Sequence, residues 1–189
     1  MKITNNVDEF VKDLINGKVV CFKTDTIWGL SANPFAFEAL KKIYEIKKRS
    51  LDKPFIFLIK NNEDLSKITK PLSNLENKIL KKYWPGPISI IFEYNKNCSL
   101  LNFYQNKQTV ALRKPKDENC QTILEKINFP LPSTSINVEG NRPINNFIEI
   151  KKFLKNEDVT ILKLNGKRGK SRSSSLIKVE NNKIVFLRK

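Results

Sequence analysis

Three polar segments carry residue types that a hydrophobic core does not require. KTDTIWGL, at Lys23 to Leu30, runs from a strand end into Thr24, Asp25, Thr26 and Gly29. Its side-chain and backbone donors can line a ligand cleft, and the same residues suit an ordinary capped turn with Trp28 in the core. IKKRSLDKP, at Ile46 to Pro54, gathers Lys47, Arg49 and Lys53 around a helix-to-strand connection. Phosphoryl groups demand dense positive charge, and a guanidinium meets them with a planar fork, so Arg49 is the sharper candidate. For the lysines, attraction to a helix C-terminus through its dipole is an equally good account. PSTSINVEG, at Pro132 to Gly140, offers hydroxyls and Asn137 to phosphates or a base, although polar loops often produce such runs. No segment has the spacing of a Walker loop or a Rossmann glycine pattern, which disfavours nucleotide binding by those two routes.

The absence of any His excludes Ser-His-Asp and Cys-His mechanisms, so chemistry must rest on Lys, Arg, hydroxyls, carboxylates or bound ions. Cys21, Cys98 and Cys120 are odd in number and lack the close pairing of a zinc site, which suits reduced structural thiols. No metal site built from protein side chains is expected. The 35 Lys and Arg against 19 Asp and Glu give a net charge of +16, which favours polyanionic partners such as nucleotides or RNA. Lys-rich, Asn-rich and Ile-rich usage also follows from AT-rich codons, so charge by itself leaves function and codon bias open. The N-terminus MKITNNVDEF has no apolar signal core, and no run reaches the length of a membrane span, so the expected location is cytoplasmic, with no membrane partner.

These segments need a scaffold, and the periodicity supplies one. Val7, Phe10, Val11, Leu14 and Ile15 repeat at helical spacing with Gly17 as a stop, predicting a helix from about Asn6 to Asn16 before a strand at Val19 to Lys23. Further helices are expected at Phe37 to Lys48, Leu75 to Tyr83, Glu118 to Lys126 and Phe147 to Leu154. Strands are expected in PFIFLI from Pro54, after Pro-Gly-Pro in YWPGPISIIF, at Thr109 to Arg113, at Val159 to Leu164 and at Ser175 to Val179. Asn181-Asn182 and IVFLR suit a closing hairpin. With no repeat and no linker, residues 1–189 read as one α/β domain, a twisted mixed sheet flanked by helices.

The segments resemble, in order and separation, those of the YrdC-like, or TsaC, family. KTDTIWGL is similar to its PTxTVYGL segment, KKRSLDKP to KxRPxxxP, YWPGPISIIF to WPGPLT, TVALRKP to TVAVRxP, and STSINVEG to its SxN segment. SSSLI and the terminal FLR resemble the family's STxV and LR ends, so the likeness spans nearly the whole chain and matches the compact one-domain members in length. Lys23, Trp28 and Ser50 depart from the usual Pro, Tyr and Pro, and none of these changes removes a ligand-binding head group.

The resemblance implies a threonylcarbamoyl-AMP synthase: L-threonine, bicarbonate or carbon dioxide, and ATP give threonylcarbamoyl-AMP and pyrophosphate for threonylcarbamoyladenosine in tRNA. It maps a catalytic set onto Lys47, Arg49, Ser135 and Asn137, and ATP contacts onto Arg49, Lys53, Thr109, Ser133, Ser135 and Arg188. Threonine contacts map onto Thr26, Arg113 and Ser174, with Arg113 as the carboxylate clamp. Mg2+ is expected with ATP, and the implied partner is the tRNA-modifying threonylcarbamoyl transferase complex, with tRNA contact through the basic surface an open question. The alternative from another class is a basic RNA-binding module without turnover, which steep salt dependence would mark.

Overall fold

Alternation along one strand separates the two sides of the molecule. At Val19–Lys23, Val19 and Cys21 enter one hydrophobic cluster while Val20 and Phe22 enter another, because successive strand side chains point to opposite faces. The computed structural model describes residues 1–95, 97–98, 108–164 and 172–189. Its strands are β1 (Lys2–Thr4), β2 (Val19–Lys23), β3 (Trp28–Ser31), β4 (Ile56–Leu58), β5 (Ile88–Glu93), β6 (Thr109–Arg113), β7 (Leu131–Ser135), β8 (Val159–Leu162), β9 (Ser175–Glu180) and β10 (Lys183–Arg188). The helices are α1 (Val7–Ile15), α2 (Phe37–Lys47), α3 (Asn62–Ile68), α4 (Asn74–Tyr83), α5 (Glu118–Glu125) and α6 (Phe147–Phe153).

The strands form one mixed sheet in the order β1-β8-β2-β3-β7-β4-β6-β5-β9-β10. The pairs β1–β8, β2–β8, β4–β6 and β5–β9 are parallel, and the other neighbours are antiparallel. One face is covered by Leu40 and Ile43 of α2, Leu65 of α3, Ile79 and Leu80 of α4 and Ile150 of α6. The other is covered by Phe10 and Leu14 of α1 and Ile123 and Leu124 of α5, packed on Val20, Phe22, Leu58, Leu131 and Leu162. Each such buried side chain contributes about 2 kcal/mol of transfer free energy. That second cluster draws nothing from β5, β6, β9 or β10. Two helices cover only part of this face, and the rest is left for a site.

Local signals place the helix ends. Asn6 accepts from the backbone N–H of Asp8 and Glu9 to start α1, and Gly17 leaves it at φ +80°. Ser73 and Glu76 form a capping box on α4, and Asp117 caps α5 by accepting from the Cys120 N–H. Lys48, in the left-handed region at φ 48°, ends α2 and turns the chain so that Arg49 follows in a loop. Cys21 and Cys120 are free and fully buried, and burial pushes both thiols up, as structural cysteines require.

Four elements lie beyond the periodicity. β1 has 3 residues, β3 has 4 buried on both faces, and α3 depends on the Asn61 cap, whose side chain accepts from Asp64 N–H. β7 contains Pro132, which ordinarily argues against a central strand. Here β3 pairs only as far as Ser133, so Pro132 has β4 alone beside it, opposite Phe57, and its missing N–H breaks no ladder on the β3 side. The segment with the Ser-Thr-Ser run is thus largely strand, and its hydroxyls are fixed by the sheet.

Candidate active site

The uncovered part of the sheet floors an open cleft. Ile56 and Leu58 of β4, Ile91 of β5, Ala111 of β6 and Leu176 of β9 form the floor. Registry puts these side chains on one face: Ala111 stands opposite both Ile56 and Ile91, and Leu58 opposite Arg113. The walls carry Thr26, Arg49, Arg113, Ser133, Ser135, Ser174 and Arg188. Seven of the expected contact residues, distant in sequence, therefore meet in one place. Gly29 lets the walls approach, since a Cβ there would lie 2.8 Å from Ser133 Oγ.

Arg113 closes the C-terminal end of β6, and it is only 5% exposed. Its Nε donates to Gly86 O at 3.1 Å, its Nη1 to Thr26 Oγ1 at 2.9 Å, and its Nη2 pairs with Asp25 Oδ1. Gly86 is set by the turn after α4, where Trp84-Pro85 is cis and Gly86 N–H donates to Lys114 O at 2.9 Å. Thr26 Oγ1 is also 2.9 Å from Thr24 Oγ1, which donates to Ile27 O at 2.8 Å. KTDTIWGL is thus both a cleft wall and a capped turn, and Trp28 is buried in the core, stacked at a tilt on Phe147. Desolvation lowers the Arg113 pKa, and the Asp25 carboxylate opposes that shift.

The other end is organised from beneath. Lys47 is 1% exposed and lies outside the cleft lining. Its Nζ donates to Ser135 O, to Asn137 O at 3.2 Å and to Asn137 Oδ1 at 2.7 Å. Ser135 Oγ donates to the same Asn137 Oδ1 at 2.7 Å, and Asn137 Nδ2 donates to Val138 O and Asn141 O. Ser135 spends its proton inside the protein and shows the cleft lone pairs only. Burial, with repulsion from Arg49, lowers the Lys47 pKa to about 8. Arg49 lines the cleft and donates from Nη2 to Pro54 O at 2.9 Å, while its Nε–H is buried without a hydrogen-bond partner.

Arg188 reaches the cleft because β10 contains a bulge. Phe186 pairs with Ile177, yet Arg188 pairs with Leu176, the next residue along β9. Leu187 is the extra residue, and it shifts Arg188 from the core side to the face that holds Leu176. Arg188 donates from Nε to Ser174 O at 2.9 Å and from Nη2 to Ser174 Oγ at 3.3 Å, and Ser174 Oγ lies 2.8 Å from Ser89 Oγ. Burial lowers the Arg188 pKa, with repulsion from Arg113 and Arg49 adding to the effect. Arg188 thus feels the two other guanidiniums across this cleft, and no Asp or Glu is among the described residues that line it. The arrangement attracts anions and offers no carboxylate base.

Two expected ATP contacts stand elsewhere. Lys53 is exposed and ion-paired with Glu139, whose other oxygen accepts from Ser50 N–H at 3.3 Å. Thr109 lies at the opposite end of β6 from Arg113, about 13 Å away at strand rise, in an adjoining groove that shares Ile91 with the cleft. Gly86, Ser89 and Glu139 support the site without any local signal that marks them. Asp25 lies within KTDTIWGL, but only the fold brings it to Arg113, 88 positions away.

A family model for the Sua5/YciO/YrdC domain, carrying the description "Telomere recombination", matches residues 12–189. A Methanocaldococcus jannaschii protein provisionally named threonylcarbamoyl-AMP synthase is 34% identical over 182 residues, which cover 95% of this chain and 84% of that protein. P. abyssi Sua5 complexed with L-threonine superposes with a TM-score of 0.82 at 25% identity, over 96% of this chain and 53% of its own. The present chain thus spans about half of that one. E. coli YciO superposes with a TM-score of 0.83 over 100% of this chain and 93% of its own, and at 21% identity it speaks for the fold alone. With the family match running through β2 to β10 and every wall of the cleft inside it, the chain belongs to the Sua5/YciO/YrdC family.

Proposed function

We propose that this cleft makes L-threonylcarbamoyl-adenylate and pyrophosphate from L-threonine, bicarbonate or carbon dioxide, and ATP, for threonylcarbamoyladenosine modification of tRNA. The observation that carries the reading is the convergence of Arg49, Arg113 and Arg188 with Thr26, Ser133, Ser135 and Ser174 on one cleft. The names of the relatives support the same reaction. Arg113 takes the threonine carboxylate, with Thr26 and Ser174 as hydroxyl partners. Arg49, Arg188 and Ser133 take the phosphates, and ATP enters as its magnesium complex. Lys47 and Asn137 act by holding Ser135. Lys53 joins the phosphates by leaving Glu139, and the groove with Thr109 receives the nucleoside end.

In the reaction the threonine amine nitrogen bonds to the carbon of carbon dioxide or bicarbonate. From carbon dioxide the neutral amine loses one proton to solvent, and from bicarbonate that proton leaves within the water that is lost. The new carboxyl oxygen then attacks the α-phosphorus as the bond to the two outer phosphates breaks, and pyrophosphate leaves. With no carboxylate among the described residues that line the cleft, the chain's part is to hold three reactants together and offset the charge on the phosphates.

The adenylate passes to the threonylcarbamoyl transferase complex in the cytoplasm, and the net charge of +16 supports direct contact with tRNA. No helix among the described residues is long and apolar enough to cross a membrane. An RNA-binding module would share the charge, but it has no use for a buried Arg113 wired into a cleft. The test is pyrophosphate release from ATP with bicarbonate and magnesium, with and without L-threonine, followed by mass analysis. Threonine-dependent release with threonylcarbamoyl-AMP as product is expected. Release without threonine, or ATP binding without turnover, would overturn the reading.

A further inference from the structure

A cleft with three guanidiniums must keep two anionic substrates apart, because a polyphosphate outcompetes a single carboxylate for any site where positive charge is unbalanced. Charge balance differs along this cleft. Arg113 is paired directly with Asp25, and Asp117, which caps α5, adds a favourable field at the same guanidinium. The Asp25 side chain is outside the cleft lining, so its carboxylate reaches Arg113 from behind and leaves the front free. Arg49 and Arg188 make their described hydrogen bonds only to neutral partners, Pro54 O and Ser174. The Glu139 carboxylate, which feels Arg49, is taken by Lys53 and the Ser50 N–H.

We propose that Asp25 is a specificity-determining residue that reserves the Arg113 end of the cleft for the amino-acid carboxylate by cancelling the charge that would draw phosphate there. This rests on the functional reading above. With Asp25 in place, the Arg113 end recruits by the directed geometry of a fork fixed at Nε by Gly86 O and at Nη1 by Thr26 Oγ1. The uncancelled Arg49 and Arg188 end recruits by charge. Asp25 is thus a positioning residue that touches neither substrate. Its effect is to make the two anions bind side by side.

The experiment is direct titration of the full chain with L-threonine, with pyrophosphate, and with each in the presence of the other. In the wild type the two probes should bind together, each leaving the other's Kd within about twofold. Asp25→Asn keeps an oxygen for Arg113 Nη2 but removes the charge. Saturating pyrophosphate should then raise the apparent threonine Kd by roughly tenfold, about the effect of one unbalanced charge at a partly hydrated site. Asp25→Glu should restore independent binding. Competition between the probes in the wild type would overturn the proposal without any variant, so a poorly folding Asp25→Asn does not shelter it. An unchanged pattern in a folded Asp25→Asn would overturn it too. Wild type that binds pyrophosphate and no amino acid would overturn the functional reading, and the role of Asp25 with it.

Discussion

Arg113 and Arg49 are the same side chain put to opposite uses at two ends of one cleft. Arg113 sits at the end of a strand, buried, with Nε, Nη1 and Nη2 each held by the protein. Arg49 sits in the loop after α2, half-buried, with one described hydrogen bond and a buried Nε–H that lacks a partner. A fully held guanidinium recognises shape, since its remaining donors cannot move. One held at a single nitrogen keeps its other donors for an anion, and each charged hydrogen bond that it then makes adds to binding. The difference teaches that the number of cations in a site says less than how each is already committed.

Breaking the uncommitted end should have the largest effect. Arg49→Ala is expected to lower the threonine-dependent rate by at least about 100-fold, as loss of a preorganised donor does, with weaker ATP binding and little change in threonine binding. A smaller loss in steady-state kinetics would mean that Arg188 carries the phosphates alone. Breaking the committed end comes next. Arg113→Ala should weaken threonine binding about 10- to 100-fold while ATP binding changes far less, following the usual worth of a charged hydrogen-bonded contact. It should also lower thermal stability, by about 3 kcal/mol, because Asp25 is left partly buried without its counter-ion. Equal loss of both ligands in calorimetry would remove the distinction between the ends.

The same contrast separates what could be read in the sequence from what could not. Arg49, Arg113 and Arg188 stand in a Lys-dominated chain, and guanidinium geometry marks them before any fold is known. The strands at Val19–Lys23 and Thr109–Arg113 were legible to the residue because their apolar runs are short and β-branched. β7 was hidden, since Pro132 and three hydroxyl residues mimic a loop, and only the early end of β3 makes the Pro tolerable. Commitments were hidden more deeply. Nothing local says that Lys47 turns inward to Asn137 while Lys53 turns outward to Glu139, because each choice depends on a turn about 90 residues away.

Arg188 tests whether its end of the cleft is built by backbone geometry as well as by charge. Deleting Leu187 removes the bulge and places Arg188 directly after Phe186, where strict alternation keeps it opposite Leu176 and on the cleft face. Pyrophosphate affinity should therefore stay within about twofold of wild type, with the β9–β10 hairpin intact by circular dichroism, whereas Arg188→Ala should lower it about 10-fold. If the deletion loses as much as Arg188→Ala, the bulge sets the reach of the guanidinium and not only its face.

The smallest effect should come from the lysine that underpins the phosphate end without lining it. Lys47 has its pKa lowered to about 8, against 10.5 in the unfolded chain. Between those values the unfolded chain holds a proton that the folded chain has released, so this group makes stability rise with pH across that window. The hydrogen bonds move in the other direction. The ammonium serves Ser135 O, Asn137 O and Asn137 Oδ1, and a neutral amine has one proton fewer for three acceptors. Pyrophosphate binding should therefore weaken about threefold as pH passes 8, through loss of a nearby charge and a loosened Ser135, while the melting temperature does not fall. Lys47→Arg, which cannot titrate there, should flatten the binding profile even if its absolute affinity is lower. A profile that keeps its inflection near pH 8 in the arginine variant would assign the titration to another group and leave Lys47 a purely structural post.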